Sequence, residues 1–595
     1  MNRLSWMSVP LAQYTVLLAT YLQPLRPQLV GLALLIFAGT ALQLLNPLVI
    51  RSFIDTAANG GALRDLLLIA VAFIAIALLY QGLAVAQASL AERTAWQATN
   101  ALRTALTRHC LHLDMAFHNS RTPGELTECL DGDVAALSNF FSQFAIVIVA
   151  NGLLLLGILI TLFWEDWRIG MPLLLFVLFA FWASSYVHAL SMPYWPAARA
   201  ALARLLGFLE ERLSATEDLR ANGATAYMML GLYRHLRERL QTLLRAYLMM
   251  VATFCTSLGL MAFGSALALG IGAYLFQQNA ITVGTVYLIF HYTRLLIQPV
   301  EFLMLELMDL QKATASIGRI EELFALPSER LTARAASLPP GPLPVEFQAV
   351  AFRYHAETPD LTLRDISFQL QPGELLGLAG RTGSGKTTVT RLLARLYEPT
   401  TGSIKVGGVD IHQVDPVTLR RNIGLVTQDV QLFQATVREN LTFFDPTIAD
   451  DRILTALHSL GLWTWYLALP NGLDTPLAAG GGGLSAGEAQ LLAFTRVLLK
   501  DPGLVILDEA SSRLDPLTER LIDQAVTNLL GNGQRTGIII AHHLATLQRV
   551  DTLMLLENGR IVEYGRRAQL AADPTSRFYQ LLQTGAGLST REVLA

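Results

Sequence analysis

Gly380-Arg381-Thr382-Gly383-Ser384-Gly385-Lys386-Thr387 follows the apolar run Leu375-Leu376-Gly377-Leu378-Ala379 and opens the helical pattern that starts at Thr388. Strand, glycine-rich loop and helix in that order are the context a phosphate-binding loop requires. The glycines let successive backbone N–H groups converge on an anion, and the helix start adds partial positive charge. This spacing predicts that Gly380 through Thr388 cradle a nucleotide's phosphates. Lys386 reaches the β- and γ-phosphates, and the Thr387 hydroxyl is a Mg²⁺ ligand.

A second run, Leu504-Val505-Ile506-Leu507, ends in Asp508-Glu509. A strand end can point two carboxylates at the same phosphates. Asp508 is expected to hold Mg²⁺ through water, and Glu509 to act as general base for the attacking water. Around both motifs, short β-rich runs alternate with helical patterns, which predicts an α/β nucleotide-hydrolase domain over 345–584, with a short tail at 585–595. Upstream, Pro339-Pro340 and Pro342 forbid a continued helix and mark a linker over 327–344.

The N-terminal half has a different grammar. Apolar stretches near 28–50, 66–88, 136–163, 169–192, 247–275 and 282–303 each reach the ~20 residues that span a bilayer. Over the whole chain 52% of residues are apolar and 15% charged, a deficit of charge that lipid-facing surface explains. We therefore expect a polytopic all-α membrane domain over 28–326, preceded by an interfacial segment at 1–27. The long links at 89–135 and 193–246 carry Arg93, Arg103, Arg108, Arg199, Arg204, Arg212 and Arg220 among others. By the positive-inside rule they are cytosolic, as are both termini, and their helices run on below the membrane. A net charge of −3 offers no basic footprint for nucleic acid. Cys110, Cys129 and Cys255 lack metal-site spacing, and no removable signal peptide is expected.

With these motifs in place, the chain resembles half of an exporter of the ATP-binding cassette (ABC) family over nearly its whole length. The resemblance implies ATP and Mg²⁺ as cofactors, alternating access driven by ATP hydrolysis, and a second half-transporter as partner. It makes Tyr354, in Phe352-Arg353-Tyr354, the aromatic that stacks on adenine. Gln428, in Leu425-Val426-Thr427-Gln428, becomes the glutamine that senses Mg²⁺, and His542, after Ile538-Ile539-Ile540-Ala541, the histidine that contacts the γ-phosphate. Leu484-Ser485-Ala486-Gly487-Glu488 takes the place of the LSGGQ motif, which reaches in trans to the ATP on the other subunit's phosphate loop. Phe117–Leu126 and Leu219–Ala224 resemble the two coupling segments.

The chain departs from the family pattern at Ala486 and Glu488, which replace a glycine and the glutamine of that motif. Ala479 stands where the family carries an acidic residue, and Ser512-Arg513-Leu514-Asp515 replaces SALD. Ser485 and Glu488 fit S-x-x-E, a capping box. The alternative is a carboxylate that repels the partner's γ-phosphate. Either reading favours a heterodimer with unequal sites over a homodimer.

In the sixth stretch His291, Arg294, Gln298 and Glu301 share one helical face, within roughly 80° at 100° per residue. Charged groups at membrane depth face a water-filled path or pair internally, and both readings stay open. The whole predicts export of a lipophilic or amphipathic cargo (drug, lipid, peptide or siderophore-like) across a bacterial plasma membrane. An ATP-gated channel or regulatory subunit on the same architecture is the alternative.

Overall fold

The computed structural model describes residues 20–138, 145–327, 336–354, 360–508, 516–531, 533–541 and 546–585. The chain divides into two compact units. One holds residues 1–111 and 122–326, the other residues 112–121 and 327–595.

The first unit is helical. Its long helices are α1 (Arg26–Ala58), α2 (Leu63–Leu111), α3 (Asn151–Glu165), α4 (Trp167–Ser191), α5 (Tyr194–Ser214), α6 (Thr225–Gln277) and α7 (Val283–Ala325). α2 has 49 residues and α6 has 53. At ~1.5 Å per residue both outrun a hydrocarbon core of ~30 Å. Large apolar side chains such as Leu34, Phe37, Leu78, Ile160 and Trp182 point outward and are more than half exposed, the pattern of a bundle solvated by lipid. Inside, Leu154, Ile158, Leu162, Leu173, Leu288, Tyr292 and Leu296 form a core. The Tyr292 hydroxyl meets its need for a partner by donating to the Leu44 carbonyl at 2.7 Å.

Five of the expected spans fall in helices long and apolar enough to cross a membrane, among the described residues. The sixth falls in α7, and its polar stripe explains why that helix is not among the five. Part of the third span, residues 139–144, lies outside the described residues. Beyond it a π-type segment, Ala145–Ala150, leads into α3.

The second unit is α/β. A six-stranded sheet runs β10-β9-β3-β8-β7-β6, and a four-stranded sheet runs β2-β1-β4-β5. β3 (Leu375–Ala379), β6 (Ile423–Val426), β7 (Leu504–Asp508) and β8 (Thr536–Ile540) are parallel to one another, as is β9 (Thr552–Glu557) to β3. Every residue of β7 and β8 is buried, as expected of unbroken Val/Ile/Leu runs covered on both faces. β10 (Arg560–Arg566) is the antiparallel edge. The smaller sheet, β1 (Val345–Phe352), β2 (Leu363–Leu370), β4 (Thr401–Val406) and β5 (Val409–Asp410), is antiparallel. Its inward Val345, Phe347, Ile366, Phe368 and Ile404 join Leu376, Leu378 and Ile506 of the larger sheet in one core. Among its helices are α8 (Lys386–Leu393), α9 (Ala486–Lys500) and α10 (Pro516–Leu530).

Candidate nucleotide site

The parallel strands carry the site because their carboxyl ends lie along one edge of the sheet. In open α/β sheets that edge is where ligands bind. The loop 380–385 leaves the end of β3, Gln428 stands two residues past β6, and Asp508 closes β7, paired in register with Ile540 at the end of β8. The topology thus gathers residues 160 positions apart in sequence.

Within the loop, Gly380 (φ 146°) and Gly385 (φ 106°) are required by space as well as conformation. A Cβ at Gly380 would stand 2.2 Å from the Leu556 carbonyl oxygen, and one at Gly385 2.5 Å from Leu363 Cδ2. Lys386 opens α8 and is only 5% exposed. Its ammonium donates to the carbonyls of Gly380 at 2.7 Å and Arg381 at 3.1 Å, so it is held inside the curve of the loop. Ser384 Oγ is buried and makes no hydrogen bond. A buried hydroxyl left without a partner costs about 1–3 kcal/mol, and a phosphate oxygen would meet that need. Thr387, on the first turn of α8, is half-buried and exposed enough to serve as an oxygen ligand, while Arg381, Thr382 and Gly383 form the exposed rim. Asp508 is 7% exposed.

Tyr354 packs edge-on against Phe352 and Tyr397, with centroids 4.9 and 5.1 Å apart. Its hydroxyl pairs with Thr388 Oγ1 at 3.0 Å and accepts from Arg391 Nη1 at 3.3 Å. The aromatic expected at adenine is therefore tied to the helix that bears the phosphate loop. Arg391 and Tyr397, which complete this arrangement, carry no motif in the sequence. The same unit contains the short helix Met115–Ser120, whose Asn119 Nδ2 donates to the Tyr397 hydroxyl. Gln428 is exposed. Glu509, His542 and Ser512 to Asp515 lie outside the described residues.

Ser485 caps α9, and the capping box is closed. Ser485 N and Oγ each donate to Glu488 Oε2 at 2.8 Å, and Glu488 N donates to Ser485 Oγ at 3.2 Å. The Ser485 hydroxyl hydrogen is committed to the Glu488 carboxylate. Ala486 and Gly487 form the first turn behind it.

The four residues of the membrane stripe lie on the least buried side of α7, opposite Ile289, Tyr292, Thr293, Leu296 and Val300. His291 stacks on Tyr287 at 5.7 Å, and the Arg294 guanidinium lies 5.9 Å from the Phe290 centroid. Glu301 accepts from Ser257 Oγ of α6, so the internal pairing is made by Glu301, while Arg294 stays on its own helix. Gln298 lines a cavity among α1, α2, α3 and α7.

Residues 29–300 match the ABC transporter transmembrane region family, and residues 363–512 match the ABC transporter family of ATP-binding domains. A multidrug efflux ATP-binding/permease protein of Mycobacterium bovis is 31% identical over 550 residues, covering 91% of this chain and 45% of that protein. The chain thus spans about half the length of that relative. A fatty acid ABC transporter ATP-binding/permease protein of Mycobacterium bovis is 30% identical over 505 residues, covering 82% of this chain and 76% of the relative. In fold, the chain is similar to a bacterial Atm1-family ABC exporter with ATP bound, with a TM-score of 0.77 and 24% identity over 95% of this chain and 99% of that one. A helical membrane region and a nucleotide-binding α/β region joined in one polypeptide, each matching its own family, make this chain a member of the ABC transporter family.

Proposed function

We propose that the chain is one half of an ATP-hydrolysing exporter that moves a lipophilic or amphipathic cargo across the plasma membrane by alternating access. The observation that carries this reading is the loop 380–387. Its strand-end position, its enclosed Lys386 and its unpartnered Ser384 Oγ suit a polyphosphate, and it sits in a chain whose N-terminal region is membrane helix. The multidrug and fatty acid transporters among its relatives support an apolar cargo.

In this reading the domain has six spans, counting α7, and a cytosolic cassette from 345 to 584. Lys386 and the loop N–H groups hold the β- and γ-phosphates, and Tyr354 meets the base. Thr387, Asp508 and Gln428 would hold Mg²⁺. One carboxylate with a hydroxyl, an amide and phosphate oxygens is the oxygen-rich set that ion takes. When bound it neutralises charge on the phosphates. Glu509 takes the proton of the attacking water, and His542 steadies the γ-phosphate.

The closed Ser485–Glu488 box supports a heterodimer with unequal sites. A hydroxyl already given to Glu488, beside a carboxylate, makes a poor trans grip on a partner's ATP. This subunit's own loop would then be completed by a regular motif on the mate. Purified alone, the chain should hydrolyse ATP slowly, and co-assembly with a complementary half should raise the rate through a Lys386-dependent site. A fully active homodimer of this chain would refute the unequal-site reading.

A further inference from the structure

The cavity that Gln298 lines, about 300 Å³ in volume, draws polar groups from four helices. Its polar groups are Thr40 and Gln43 of α1, Tyr80 and Gln87 of α2, Asn151 of α3 and Gln298 of α7; the remainder is glycine, alanine and leucine. All six polar residues fall inside the predicted spans, and none is ionisable at neutral pH. The structure records no side-chain hydrogen bond for Thr40, Gln43, Tyr80, Gln87 or Gln298 among the described residues. Three glutamine amides and two hydroxyls therefore bring unspent donors and acceptors to one space.

Such a lining has a cost. In hydrocarbon a polar group without a partner is unfavourable by several kcal/mol, so polar residues at this depth face each other, water or a ligand. Here Thr40, Gln43, Tyr80, Gln87 and Gln298 make no hydrogen bonds to one another among the described residues. The cavity would take about ten waters at their liquid volume, or one compact head group. Its chemistry also discriminates. Amides and hydroxyls offer donors and acceptors in balance, which matches a head group bearing both. They offer no counter-charge, so an ammonium, phosphate or carboxylate would sit unpaired in a low-dielectric space. The charged members of the stripe, Arg294 and Glu301, do not line this cavity.

We propose that this cavity, lined by four helices of one chain, is a cargo subsite that selects an uncharged, hydrogen-bonding head group on an apolar body. Hydroxyl-rich and amide heads share the required chemistry. The inference rests on the exporter reading and gives that reading a cargo class.

The full chain, assembled with its mate if it has one, is reconstituted in phosphatidylcholine vesicles. Binding is measured for four fluorescent probes with one acyl chain and different heads: a glucosyl group, a primary amide, a quaternary ammonium and a sulfate. The glucosyl or amide probe should bind at least tenfold more tightly than either charged probe, and the better of the two identifies the head. Gln43→Leu with Gln87→Leu should weaken the neutral probes about tenfold or more, the loss expected from two hydrogen bonds. Gln87→Glu, which keeps the shape, should bring the ammonium probe level with the neutral ones. Charged probes binding as well as neutral ones, or no change with either set of substitutions, overturns the inference. ATP hydrolysis by the unsubstituted assembly, and its loss in Lys386→Ala, reports separately on the exporter reading, so failure of the subsite and failure of the transporter are distinguishable.

Discussion

Replacing Arg319 by methionine should loosen a segment 186 residues away in sequence. Asp133 ends the π-type turn Glu128–Asp133 and is only 2% exposed. It accepts from Arg319 Nε at 2.8 Å and from Nη2, from Ser316 Oγ at 2.9 Å, and from Cys129 Sγ at 3.3 Å. Burial alone pushes this carboxyl up, but the bonds from Arg319, Ser316 and Cys129 more than reverse it and hold it below its ordinary 3.8. Removing one member of a buried pair costs about 3–5 kcal/mol. The Arg319 side chain is 51% exposed, so water can replace part of what it supplies, and about 2 kcal/mol is the discounted figure. If that loss falls on local opening, Cys129, now 5% exposed, should react with a maleimide about 30-fold faster. The assay is mass-resolved labelling at Cys129 in the full chain, each rate normalised to an unstructured cysteine peptide at the same pH.

The pH dependence has a definite sign. In the unsubstituted protein the depressed carboxyl contributes stability that is fully present above pH 3.8 and lost as pH falls through its folded value. Without Arg319 the carboxyl loses its largest lowering contribution and rises from its depressed position, because burial still pushes it up. The defect is then greatest near neutrality and shrinks on acidification. Asp133→Asn added to Arg319→Met should restore most of the protection, because no charge is left buried. Unchanged labelling in Arg319→Met, or a defect that grows toward pH 5, refutes the reasoning.

Asp55→Ala removes the carboxylate that accepts from Gly284 N and Thr282 Oγ1, each at 2.9 Å, at the start of α7; a loss of about 1 kcal/mol of stability is expected, seen as a lower thermal-unfolding midpoint. Asn440→Ala strips Oδ1 from Phe433 N and from Arg496 Nη2. Burial has already brought the Arg496 guanidinium down to about 10, so its loss of a partner should destabilise the nucleotide-binding unit by about 3 kcal/mol in denaturant titration. Glu488→Gln frees the Ser485 hydroxyl from a carboxylate and should raise ATP hydrolysis by the chain assayed alone, measured as phosphate release; a fall would count against the unequal-site proposal.

The strand–loop–helix geometry of the candidate nucleotide site was legible because its information is local. The loop 380–387 carries strand, turn and helix in adjacent residues, and Leu504–Asp508 carries strand and carboxylate together. Ser485 and Glu488 were legible as one of two readings, a capping box three residues apart, and the folded structure closes it. Long-range pairs carry no such spacing. Arg319 read as one more residue of a helical pattern, and nothing near it in sequence points to Asp133. The cavity is beyond periodicity for the same reason: Gln43, Gln87, Asn151 and Gln298 are single polar residues in four separate apolar runs, brought together by packing. The polar stripe was legible as a face of α7, whereas its partners were not, since Ser257 lies on another helix.

The proposed exporter turns on ATP being hydrolysed to drive cargo uphill through this chain. The direct measurement is accumulation of a lipophilic fluorescent cargo inside inverted vesicles that hold the assembled transporter. Concentrative uptake should require hydrolysable ATP and vanish in Lys386→Ala. Uptake that only equilibrates the two sides, or that persists unchanged in Lys386→Ala, would contradict it.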